Sequence, residues 1–211
     1  MIYIRRFVRE IAMPQIHEYY PCPPDKVFWL ASPAHMLSKL GWEIGQLRKA
    51  LERERYGVND VAAYHAFNCS VTAWHLADWI WEASPPQHRK YILKQLGTTA
   101  SARENLGLFQ TSIREKCQSI HICRQLAIGA KHMTVNNYPD PEVRAELLWE
   151  SVQSGENEDE SALTHCCRLV IWDGEIQRSP VTVFEDAFHF WELCLREWGF
   201  MEARFIDGKE P

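Results

Sequence analysis

Residues 64–82, YHAFNCSVTAWHLADWIWE, read as a helix that is apolar almost all round. Val61, Tyr64, Phe67, Val71, Trp74, Ala77, Trp79 and Trp81 leave it no wide polar face. Such a helix has to be wrapped by other elements rather than laid on a surface. That requirement predicts a helical bundle with this segment at its centre. Asn59 or Asp60 caps it, and Pro85-Pro86 ends it.

The wrapping helices can be read from period and punctuation. Ser32-Pro33 places a cap residue before a proline in the first helical position. From there Met36, Leu37, Leu40, Ile44, Leu47 and Leu51 recur at three- and four-residue steps, predicting a helix to about Tyr56. Residues 87–96 form a short helix closed by Gly97. Residues 102–132 read as one long helix, with Leu106, Phe109, Ile113, Cys117, Ile120, Cys123, Ala127 and Ala130 facing inward and Gly107 and Gly129 permitting a bend. The last helix runs from Pro180 to Trp198 and stops at Gly199. Between these two, the run THCCRLVIW, then Asp173-Gly174, then Glu175–Arg178, predicts a β-hairpin. Residues 142–148 are ambiguous, and the acidic run SGENEDES is a loop.

The expected fold is therefore mainly α: an antiparallel helical bundle of four major helices with a small β-hairpin insertion before the last. A chain of 211 residues fits one domain, 1–211, with 1–31 an irregular N-terminal arm and 142–179 the inserted β-element and acidic loop. No segment reaches the roughly 18 apolar residues of a membrane span. Residues 1–13, broken by Arg5, Arg6, Arg9 and Glu10, do not read as a secretory signal. Seven scattered Cys suggest a reduced, cytoplasmic protein without a disulfide framework. A net charge of −5 excludes general attraction to nucleic acid and leaves only a local basic patch for that purpose.

The patch with the most chemistry is ICRQLAIGAKH, residues 122–132. On an ideal helix Lys131 comes nearly into line with Arg124, and His132 lies about 80° from it. Arg and Lys can hold a phosphate, and His can move a proton near neutral pH. Those are the minimum parts for cutting RNA without a metal: a base for the 2′-hydroxyl and a cation for the phosphorane charge. The same residues also suit a plain helix C-terminus, where cations answer the dipole and the free carbonyls. On the preceding apolar helix His75, Asp78 and Glu82 share one stripe. They suit a polar network between helices better than a metal site, since no Glu-x-x-His faces them. Cys166-Cys167 beside His165 lacks zinc spacing. No metal and no cofactor is expected. Trp74, Trp79 and Trp81 are expected to pack in the core rather than stack on bases.

Arg124, the polar Gln125 after it, and His132 near a helix end resemble the motif of the HEPN superfamily of helical-bundle ribonucleases and nucleotide-handling proteins. The resemblance covers about residues 32–132 and the last helix. It implies a homodimer whose Arg/His pairs meet in one cleft, and RNA cleavage in a toxin–antitoxin or phage-defence setting. Arg124 and His132 would be catalytic, with Lys131, Gln125, Asp78 and His75 binding the substrate, an RNA or nucleotide phosphate. Asp78 would orient Arg124 or His132. Seven residues separate Arg124 from His132, one more than that motif's usual maximum. The departure keeps a second class open: a catalytically silent module, acting as antitoxin, adaptor or nucleotide sensor for a protein partner or a nucleotide.

Overall fold

The computed structural model describes residues 30–53, 60–98, 105–132, 139–154 and 162–201, with 53, 130–132, 149–154 and 162–167 described by backbone alone. The N-terminal arm before residue 30 and the acidic loop, residues 155–161, lie outside the described residues. The described chain is mainly helical: α1 Pro33–Arg53, α2 Asp60–Ala83, α3 Pro86–Gln95, α4 Leu106–Lys116, α5 Gln118–His132 and α6 Pro180–Glu197. A small antiparallel sheet, β1 Val143–Ser154, β2 Ala162–Asp173 and β3 Ile176–Arg178, separates α5 from α6.

The helix starts follow the expected chemistry. The Ser32 hydroxyl accepts the His35 N–H at 3.2 Å, and Pro33 fills the first turn of α1. Asn105 caps α4 by accepting the Leu108 N–H at 2.8 Å. Gly97 (φ 83°) and Gly199 (φ 76°) close the chain after α3 and α6 in the left-handed region that favours glycine. α1 packs on α2 and α6, α2 on α5 and α6, and α5 on α6. Trp191 of α6 reaches into the middle of this arrangement and donates its indole N–H to the Ala73 carbonyl of α2 at 2.8 Å.

Two expectations change. Residues 102–132 do not form one helix. Cys117 adopts an extended conformation (φ −141°, ψ 109°) and divides the segment into α4 and α5. No Gly or Pro marks the break. With α4 independent of α5, Phe109 stacks on Trp81 at 5.6 Å and meets Trp198 edge-on at 5.9 Å. Secondly, α2 is not enclosed along its whole length. Trp74, Trp81, Leu76 and Ile80 are buried, but Tyr64 is 64% exposed, Phe67 48% and Val61 47%. The first half of α2 therefore keeps an outward apolar side.

The β-element is larger than a hairpin. The Asp173-Gly174 turn joins β2 to β3 as expected, with Gly174 at φ 63°. Of the ambiguous residues 142–148, all but Glu142 belong to β1, which pairs with β2 from Val143↔Asp173 to Ser154↔Ala162. Among the described residues no helix is long and apolar enough to cross a membrane.

Candidate functional site

α5 carries Arg124 in its middle and Lys131 and His132 at its end. Arg124 and Gln125 are both buried, at 6% and 4% exposure. The guanidinium of Arg124 lies over the Trp74 ring, 5.9 Å from its centroid, at the interface of α5 with α2. The helix runs as regular α-helix through Gly129 to His132, with no tightened turn there. Eight residues of such a helix rise about 12 Å, which is the axial distance between the Arg124 and His132 backbones. The side chains of Lys131 and His132 lie outside the described residues.

Of the α2 residues expected at the site, Asp78 is partly buried and accepts a hydrogen bond from Gln110 Nε2 of α4 at 2.9 Å. Burial raises its carboxyl above the ordinary value of 3.8; His75 and the Gln110 hydrogen bond pull it back, and Glu82 adds to the rise. His75 itself is exposed. Trp74 is an α2 side chain set against Arg124, and Gln110 of α4 is a partner of Asp78.

Three polar constellations went unread in the sequence. Glu43, only 3% exposed, receives the Lys39 ammonium, which also donates to Thr72 Oγ1 at 2.6 Å. The second oxygen of Glu43 is buried without a partner. A signal was available: Glu43 stands on the same stripe as Leu40, Ile44 and Leu47, where an acid is out of place. His121 Nε2 meets Asp140 Oδ2 at 2.8 Å, and Gln118 Nε2 donates to Asp173 Oδ1 at 2.9 Å, so the start of α5 is tied to the sheet. Those contacts link residues 19 and 55 positions apart, which no local pattern predicts. His88 is held between Ser84 Oγ and the Trp198 carbonyl, 3.2 and 2.9 Å away.

Beside α5 an apolar groove of about 420 Å³ opens between α2, the sheet and the start of α6. Ala66, Phe67, Leu126, Leu147, Ile171 and Phe184 are among its walls. It adjoins the outward apolar side of α2, and its size falls within the range of small-ligand sites. Among the described residues no three His, Cys, Asp or Glu side chains come together as a metal site. Cys69, Cys123 and Cys194 are buried thiols pushed well up by desolvation, which keeps them protonated and inert. His165, Cys166 and Cys167 lie in β2, with side chains outside the described residues.

No protein-family profile, no curated protein and no solved structure matches this chain.

Proposed function

We propose that this chain is a catalytically silent helical binding module of the HEPN-like type, an antitoxin, adaptor or nucleotide sensor of the cytoplasm. In this reading α1, α2, α5 and α6 are the four major helices of an antiparallel bundle, and the end of α5 offers Lys131 and His132 to an anionic group. The observation that carries it is the burial of Arg124 against Trp74 on an unbroken helix. A cation used to neutralise a phosphorane must reach the reacting phosphate. One buried under an indole at a helix interface serves packing instead. The apolar groove beside α5 favours binding too, since it gives a partner a surface next to that helix at Leu126.

A metal-independent endoribonuclease is the second reading. It is favoured by the residue types that α5 carries, an Arg, a Lys and a His, which can hold a phosphate and move a proton. One experiment separates the two. Purified protein is incubated with a labelled single-stranded RNA, and with AMP in a parallel calorimetric titration. The binding reading expects intact RNA, and AMP affinity that falls at least about tenfold in Lys131→Ala. RNA cleavage abolished by His132→Ala in a folded variant overturns it in favour of the ribonuclease.

A further inference from the structure

We propose that a second copy of this chain adds to the outer edge of β1, joining the two three-stranded sheets antiparallel across a two-fold axis at Ala145. The inference stands apart from the roles of Arg124 and His132.

β1 is the outermost strand of the sheet order β1-β2-β3. Among the described residues no strand lies beyond it. The direction of its backbone groups follows from one hydrogen bond. Gly174 N–H donates to the Glu142 carbonyl at 3.0 Å, in register with Val143↔Asp173. Hydrogen-bonded and non-bonded positions alternate along an antiparallel pair. Arg144 and Glu146 therefore turn their N–H and C=O groups toward β2. Val143, Ala145 and Leu147 turn theirs outward. The Val143 N–H already donates to the Asp140 carbonyl at 3.2 Å; among the described residues, both groups of Ala145 and Leu147 and the carbonyl of Val143 have no partner. Arg144 and Ala145 are exposed. A long open edge is a template for another strand, and proteins either blunt it or use it.

Charge selects the occupant and the register. With Ala145 on the axis, Ala145 bonds Ala145 of the second copy, and each Leu147 N–H meets the other copy's Val143 carbonyl. Arg144 then stands opposite Glu146 of the second copy, and Glu146 opposite its Arg144. These are non-hydrogen-bonded positions, where cross-strand side chains come closest. Moving the axis one residue either way sets Glu146 against Glu146, or Arg144 against Arg144, and like charges directly opposite are unfavourable. Within one chain Arg144 Nη1 and Glu146 Oε1 are 3.5 Å apart and solvent-exposed, a weak contact that a cross-strand pairing can replace.

The test is sedimentation of the full chain over a concentration series up to about 100 µM, a range that reaches weak interfaces. A monomer–dimer equilibrium is expected. Arg144→Glu and Glu146→Arg should each raise its dissociation constant at least about tenfold, and the double exchange should return it toward the wild-type value. Ala145→Pro removes an outward N–H only, so it should abolish the dimer while far-UV circular dichroism stays unchanged. Glu146→Arg also removes the acceptor of Trp172 Nε1, and Arg144→Glu removes a guanidinium 5.8 Å from the Trp172 ring centroid, so the return in the double exchange carries the test. In a disulfide-trapping series, Ala145→Cys should cross-link faster than Leu147→Cys. A chain that stays monomeric overturns the proposal, as does a dimer indifferent to Ala145→Pro and to the charge exchange. Faster trapping through Leu147→Cys overturns the axis.

Discussion

The guanidinium carbon of Arg124 lies 5.9 Å from the centroid of the Trp74 ring, and both side chains are buried between α5 and α2. A cation over an indole is attracted by the ring's quadrupole, more strongly when water is excluded. Replacing Arg124 by Ala removes that contact and the packing of the long stem. Unfolding in urea should show a loss of about 2–4 kcal/mol. Arg124→Met, which keeps the stem, should cost less than the alanine. Equal losses in the two variants would mean that the charge alone matters.

His88 sets a pH dependence. Burial lowers its pKa below the ordinary 6.5, against the pull of the Trp198 carbonyl. The folded state thus takes up a proton less readily than the unfolded chain. Its contribution is complete above about pH 6.5 and is lost as pH falls through the depressed folded value. Stability measured at pH 7.5 and at 5.5 should differ more in the wild type than in His88→Gln. An unchanged difference would remove His88 from the account.

Asp78 acts in the opposite sense. Its folded pKa is raised, chiefly by burial, so its ionised form costs stability above that value. Asn at this position keeps an oxygen to accept from Gln110. Asp78→Asn should therefore be as stable as the wild type at pH 7, or more so. As pH falls through the raised folded pKa toward 3.8, the wild type gains its proton and any advantage of the variant should close. Denaturation midpoints of the two proteins across that range check it.

Trp191 joins α6 to α2 through the Ala73 carbonyl. Trp191→Phe loses that bond and leaves a space in a site with no exposure, a cost of about 2–3 kcal/mol. By contrast Tyr64→Ser, on the outward side of α2, should change stability by no more than about 0.5 kcal/mol. A large loss in Tyr64→Ser would mean that its ring is covered in solution, and sedimentation of the variant would show whether by another copy.

Local rules carried much of this chain. Pro33 and Pro180 in first helical turns, Gly97 and Gly199 past helix ends, and the Asp173-Gly174 turn have the roles their side chains impose, because each effect spans only a few residues. The three- and four-residue spacing of Leu40, Ile44 and Leu47 fixed which side of α1 is buried. Those determinants lie within one turn of the residues they govern.

What only the tertiary structure decided are the choices between partners distant in the chain. The break at Cys117 has no Gly or Pro to announce it, and α4 sets Phe109 against Trp81 and Trp198, residues distant in the chain. The strand character of residues 143–148 depends on β2, where their partners, Arg168 to Asp173, stand 20 to 30 residues further on. The stretch ICRQLAIGAKH announced its charges by sequence alone. That Arg124 among them points into the protein rather than toward solvent was set by the neighbouring Trp74 helix, since periodicity gives the spacing of side chains on α5 and not the element that covers them.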